Sequence, residues 1–269
     1  MKFRMLSIPL ALTFLFTAAT VATATPTEVL YLGDRTIEQV QVGNSGTNAE
    51  NLEYWFGENG ITNPDGSAIN PVADQLQQEL FFTPEAREYE VEFLGIGRAG
   101  YHSPFGVFTY DGDPLADGFD ANNMTYQDPL FVQNEVKPNT TYNFSLDAGT
   151  YFGFYLDSDG RFSEKGNEDA LLSTVRTANK KATSSRVVNK GDYEDGMDHS
   201  LFFVTNKGMT IAFEDIVGGG DADFEDLVIN LSATDGSDFQ PTPEPGTFAL
   251  LGLGLLSVGW AARRRKANA

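Results

Sequence analysis

The chain contains no cysteine and only two histidines, His102 and His199, in 269 residues. Without thiols there are no disulfide staples and no cysteine nucleophile. Two imidazoles cannot build a multi-histidine zinc site within one chain, so any metal would have to be a hard, oxygen-ligated cation. Basic residues are scarce as well: 18 Lys and Arg stand against 38 Asp and Glu, a formal charge of −20. Such a surface repels nucleic acid and anionic lipid and attracts cations. There is no Gly-x-Ser-x-Gly motif, neither histidine sits in a triad-like context, and no internal repeat is evident. Carboxylates are so abundant that none stands out as a raised-pKa acid, and a non-enzymatic role is the expectation.

Long apolar runs are missing from the body and occur only at the two ends. Lys2 and Arg4 precede Met5 to Val21, and Ala22-Thr23-Ala24 offers small residues at the spacing a signal peptidase needs. Residues 1–24 therefore read as a signal peptide. At the other end Pro243, Glu244 and Pro245 stand before an apolar run, Phe248 to Ala262, which stops at Arg263, Arg264, Arg265 and Lys266. Its fifteen residues cover roughly 22 Å as a helix, against a hydrocarbon core of about 30 Å. That is short for a permanent anchor but apolar enough for transient inner-membrane anchoring through 248–262, with the arginines cytoplasmic. Together the ends imply export across the inner membrane. The remaining 218 residues, 25–242, hold 12 basic and 37 acidic side chains, a formal charge of −25.

Within the body, short β-type runs are separated by Gly, Asn, Asp and Pro. They are Glu28 to Leu32, Ile37 to Val42, Tyr89 to Ile96, Phe105 to Tyr110, Thr141 to Leu146, Tyr151 to Leu156, Ser200 to Thr205, Met209 to Phe213 and Leu227 to Leu231. Alternation is clearest at Met209, Ile211 and Phe213 and at Leu227, Ile229 and Leu231, with Thr210, Ala212, Val228 and Asn230 assigned to the other side. The expected fold is all-β, an antiparallel β-sandwich of jelly-roll type with long loops. Pro71 to Leu80 allows one or two helical turns, residues 43–70 and 157–198 read as long loops with short elements, and 234–242 reads as a linker.

Between the last two clean strands, Glu214 to Asp226 carries six carboxylates in thirteen positions, around three successive glycines, 218–220. If the strands pair, Glu214 and Asp215 at one stem approach Asp221, Asp223 and Asp226 at the other. Like charges facing each other in a sheet are destabilising. Calcium resolves the conflict, because it takes six to eight oxygens at about 2.3 to 2.6 Å. A solvated acidic loop is the alternative, and residue chemistry alone leaves both open. Phe224 and Ile216 are suited to plug the loop against the sheet.

Two stretches resemble known families. The Pro-Glu-Pro, apolar run and basic stop over 243–269 resemble the PEP-CTERM sorting signal of Gram-negative bacteria, which implies recognition and cleavage by a membrane exosortase. His199-Ser-Leu-Phe-Phe-Val-Thr, Ile211-Ala-Phe-Glu-Asp and Gly219-Gly-Asp-Ala-Asp-Phe-Glu-Asp-Leu-Val resemble the C-terminal signature of the domain of unknown function 4114 (DUF4114). With Gly106-Val-Phe-Thr-Tyr110 and Ala148 to Phe154 the resemblance spans 80–233, leaving 25–79 as an N-terminal part of the β domain. Glu225 replaces the family's usual Asn. The resemblance favours calcium as the cofactor, with Glu214, Asp215, Asp221, Asp223 and Asp226 as ligands.

The expected function is a non-enzymatic, calcium-stabilised module sorted to the cell surface or an extracellular polysaccharide matrix, structural or adhesive. The alternatives are a carbohydrate-binding adhesin or a carboxylate-dependent glycoside-active enzyme. Signal peptidase and exosortase are the processing partners, extracellular polysaccharide is a further one, and nucleic acid is excluded. Among weaker features, Asp157-Ser-Asp159-Gly160 reads as a β-turn before a second metal site. Asp192, Glu194, Asp195 and Asp198 read as a solvated loop, although one of them could approach the hairpin. His199 reads as a structural hydrogen-bonded residue. Tyr54-Trp55-Phe56 and Tyr101 could form a sugar-stacking surface, though core packing explains most aromatics in a sandwich.

Overall fold

The computed structural model describes residues 25–30, 32, 52–97, 100–166, 170–179, 198–218, 222–237 and 239–241. The expected signal peptide, the strand Ile37 to Val42 and the sorting segment with its apolar run lie outside these residues. Among the described residues no helix is long and apolar enough to cross a membrane. In chain order the strands are β1 (Thr27–Leu30), β2 (Leu80–Thr83), β3 (Arg87–Gly95), β4 (Pro104–Tyr110), β5 (Met124–Tyr126), β6 (Phe131–Val132) and β7 (Thr140–Leu146). They continue with β8 (Thr150–Asp157), β9 (Leu171–Ser173), β10 (Ser200–Thr205), β11 (Gly208–Phe213), β12 (Leu227–Ala233) and β13 (Phe239–Pro241). One sheet runs β13-β1-β2-β8-β4-β5, with β6 beside β4 and β9 beside β8. The other runs β10-β11-β12-β3-β7. All pairs are antiparallel except β1 with β13.

Phenylalanine holds the two sheets together. The inward residues of one sheet, among them Phe81, Phe105, Phe152 and Phe154, share a buried cluster with Phe93, Phe202, Ile211, Phe213 and Ile229 of the other. Phe105 meets Phe213 edge-on at 5.5 Å, and Phe81 meets Phe202 at 5.5 Å. Each such buried side chain contributes about 1.5–3 kcal/mol over an exposed one. The period-2 pattern of β11 and β12 is thus satisfied on its inner side.

The outer side departs from expectation. Thr210, Ala212, Val228 and Asn230, assigned to the polar face, are all buried. The cause is residues 52–78, which close over this sheet instead of looping through solvent. Helix α1 (Leu52–Glu58) lays Leu52, Trp55 and Phe56 on Leu201, Phe203, Ala212 and Val228, with Ile61 and Ile69 beside them. This also breaks up the expected sugar-stacking surface: Trp55 and Phe56 are core, Tyr54 is exposed, and Tyr101 is half-buried with Arg161 over its ring. Pro71 to Leu80 forms no helix. The Asn70 side chain accepts from the amides of Val72 and Ala73, an Asx turn that competes with helical bonding, and Leu76 then bridges to Phe202.

Two further segments are more ordered than expected. Asp157 is buried, and its two oxygens accept from the amides of Phe162 (2.8 Å) and Ser163 (3.0 Å) at the start of helix α2 (Arg161–Lys165). Residues 157–160 therefore lead through a 3₁₀ turn into a helix and do not form the expected β-turn. The presumed linker 234–242 includes β13, paired with β1 at Thr27–Phe239. Buried Arg87 clasps both ends of the body: it donates to the Thr27 hydroxyl (2.8 Å) and the Thr25 carbonyl (2.7 Å), and its Nε lies 3.3 Å from Asp235.

Candidate metal centre

The acidic segment begins where β11 ends. The Glu214 amide extends the β10–β11 ladder by donating to the His199 carbonyl at 3.0 Å. The Glu214 carboxylate then turns back over its own loop, accepting from the amides of Ile216 (3.2 Å) and Ala222 (2.9 Å). Asp226, just before β12, accepts from the amide of Asp215 at 3.0 Å. The two stems are thus tied by carboxylate-to-amide bonds, which satisfy loop donors that burial would otherwise strand.

Asp223 is set by its neighbours. Ala222 and Phe224 both take left-handed φ, 60° and 58°, uncommon for non-glycine residues and costing about 1 kcal/mol or more each. What holds them there is burial: both side chains are sunk into the outer cluster beneath α1. Phe224 anchors the loop as expected, whereas Ile216 points outward and is 37% exposed. With Ala222 and Phe224 pinned, a carboxylate oxygen of Asp223 comes together with those of Glu214 and Asp226, all within 4.8 Å of one another. Oxygens bound to one cation at about 2.3–2.6 Å lie no farther apart than about 5.2 Å, so this triad fits a calcium-sized ion.

Asp215 stands one step away. Its carboxylate accepts from Gln133 Nε2 at 3.2 Å, while the same nitrogen donates to the Asp226 carbonyl at 2.7 Å. The Asp215 carbonyl accepts from the Ser158 hydroxyl at 2.7 Å. Asp221 lies outside the described residues, as do Asp192, Glu194 and Asp195. Asp198 is buried beside His199 but is not part of the triad. Glu225 is buried against Gly97, whose amide donates to the Glu225 carbonyl at 2.6 Å. A Cβ on residue 97 would lie 2.3 Å from the Glu225 carboxyl carbon, so only glycine admits this packing.

The electrostatics are those of crowded, buried acids. Burial first, and then the charges of Glu214, Asp215 and Asp223, push the Asp226 carboxyl well above the ordinary aspartate range. The charged groups acting on it are all acidic. His199 offers no compensation: burial depresses its imidazole to about 4, leaving it neutral. Its Nδ1 lies 3.1 Å from the Glu214 carbonyl oxygen, which places the proton on Nδ1. The loop therefore combines three converging carboxylates, no neutralising base at Asp226, and a backbone already hydrogen-bonded in place. Such a site can take a hard cation or hold a proton.

Gln133 and Ser158 carry no local sign of this role. They reach the loop from 82 and 57 residues away in sequence, through β6 and the end of β8. Only knowledge of the strand pairing would have found them.

Residues 146–234 match the family model of the domain of unknown function DUF4114, and residues 241–266 match the PEP-CTERM protein-sorting motif. The sorting motif supports exosortase processing, export and a cell-surface or extracellular location in a Gram-negative bacterium. The DUF4114 match begins within β7 and includes the acidic loop, but β12 pairs with β3, which precedes it, so the matched segment completes its sheet with strands from outside. No curated protein and no solved structure is significantly similar to the chain.

Proposed function

We propose that the protein is a non-enzymatic, calcium-stabilised β-sandwich, cut from its sorting tail by an exosortase and serving a structural or adhesive role at the cell surface or in the extracellular polysaccharide matrix. The observation that carries the metal reading is the convergence of Glu214, Asp223 and Asp226 within 4.8 Å. Asp215 and the neighbouring Asp221 complete the acidic set that calcium would draw on, with loop carbonyls and water supplying the remaining oxygens. The cation's chemistry here is charge neutralisation that locks the β11–β12 connection. Outside the inner membrane calcium is available, and the sorting motif supports that location.

Thermal melting with added calcium is the test. At a hundred times Kd the folded state gains about 2.7 kcal/mol, which for a body of this size raises Tm by roughly 5–10 °C. An Asp221→Ala/Asp223→Ala double variant is expected to lose the response. No calcium-dependent shift, or one that the double variant retains, overturns the metal reading.

A further inference from the structure

A second cluster of carboxylates lies at the opposite end of β3. The acidic loop abuts Gly95 and Gly97, whereas Arg87, about 26 Å away at some 3.3 Å per strand residue, borders an open cleft of about 1020 Å³. The cleft opens where the sheets part, between β7, the free edge of the five-stranded sheet, and the β4–β5 ladder. Its floor is apolar, from Val107, Leu130 and Phe144, and its walls are polar.

Most polar side chains here are uncommitted, Tyr110, Thr150 and Arg87 being the exceptions. Thr109, Thr125, Gln127, Asp111, Asp128 and Asp147 all line the cleft, and none makes a side-chain hydrogen bond among the described residues. All are exposed except half-buried Thr109. The only basic side chain in the lining, Arg87, is engaged with Thr25, Thr27 and Asp235. Much of the wall's backbone is also in use: Gln127 donates to Val107, Leu130 donates to Phe105, and the Gln127 carbonyl accepts from the Tyr155 hydroxyl. On this wall the groups left for a ligand are side chains, whereas the edge of β7 opposite keeps main-chain groups that an added strand would use.

We infer that this cleft binds a neutral polysaccharide. Sugar hydroxyls donate to the three carboxylates and accept from the threonine hydroxyls and the Gln127 amide, and the C–H faces of the rings pack on half-buried Phe144 and Leu130. Three unpaired carboxylates repel a uronate polymer. The inference rests on the adhesive reading above, but not on the metal, because none of the acidic-loop residues lines the cleft.

Affinity electrophoresis of the processed protein through gels containing dextran, galactomannan or mixed-linkage β-glucan tests it, with alginate, chitosan and a strand-forming peptide as the other arms. At least one neutral polymer is expected to retard the protein. The Gln127→Ala/Asp128→Ala double variant and Thr109→Val should each weaken that binding by at least tenfold, with Tm unchanged. Retardation by no neutral polymer, by alginate, chitosan or the peptide alone, or undiminished in both variants, overturns the assignment. A chelator separates the two claims: EDTA is expected to lower Tm and leave retardation intact. EDTA without effect on Tm removes the calcium reading alone, and loss of neutral-polymer binding with an intact calcium response removes the cleft alone.

Discussion

The two ends of β3 hold the same functional group in opposite conditions. At the Gly95 end Glu214, Asp215, Glu225 and Asp226 are buried, and Glu214 and Asp226 accept from loop amides, whereas at the Arg87 end Asp111, Asp128 and Asp147 stand in water. A carboxylate removed from water without a counter-charge costs free energy and is tolerated only if something restores the balance. One left in solvent costs nothing to keep and is available to a ligand. Burial, not residue type, separates a candidate stability site from a candidate recognition site.

The contrast breaks most severely at Phe224. Truncation to alanine removes the anchor that holds Asp223 beside Glu214 and Asp226, and opens a cavity under α1. Phe224→Ala is expected to cost about 3–5 kcal/mol in chemical denaturation and to abolish the calcium-induced rise in Tm. A normal calcium response in this variant would show that the loop is positioned by something else.

Asp226 sharpens the comparison through pH. Its folded carboxyl is raised above the unfolded value of 3.8, by burial first and then by Glu214, Asp215 and Asp223. Between those two values the folded state binds more protons than the unfolded, so without calcium this group adds stability as pH falls from neutral toward about 4. Relative to Asp226→Asn, the calcium-free protein should therefore gain stability on acidification, by about 1.4 kcal/mol for each pKa unit of difference. With calcium bound the sign reverses, because protons displace the ion. Denaturant melts of both proteins across this range, with calcium and with chelator, check it. A difference that is flat with pH in chelator would sink the argument.

Gln133 is the next step down. Gln133→Leu keeps the volume but strips donors from the Asp215 carboxylate and the Asp226 carbonyl, and is expected to cost about 1–3 kcal/mol. The calcium-induced shift in Tm measured on the same variant shows whether Asp215 needs this donor to serve the site.

Much of the sandwich was legible from period-2 alternation: Ser200–Thr205 and the cores of β3, β4, β7, β8, β11 and β12 fall where the apolar pattern puts them. The short strands β5, β6 and β9 were not, because two or three residues carry no period, and β13 looked like a linker because its pairing with β1 is more than two hundred residues distant in sequence. The second apolar side of β11 and β12 was misread for a related reason. Alternation of Ile with Thr or Ala says which side is greasier, not whether a segment like 52–78 closes over the other. At the acidic loop the sequence singled out Glu214, Asp223 and Asp226, whose carboxylates the fold brings together, but not Gln133, which bonds to the loop from across the sandwich. The cleft left no sequence signature at all. Its residues come from β4, β5, the ends of β3, β7 and β8 and the connections between them, and only the parting of the sheets makes them neighbours.

The smallest expected effect is the one that best separates the two ends. Gln127→Ala/Asp128→Ala removes two exposed side chains with no hydrogen bonds among the described residues, so its change in stability should lie within about ±0.5 kcal/mol. Calcium should raise its Tm as much as it raises that of the parent, since none of the acidic-loop residues lines the cleft and exposed charges are screened over a Debye length of about 8 Å at physiological salt. Paired melts of parent and variant, with and without calcium, measure both quantities at once. A shifted calcium response would mean that charge at the cleft is felt at the loop, and the carboxylates would then have to be treated as one field rather than two sites.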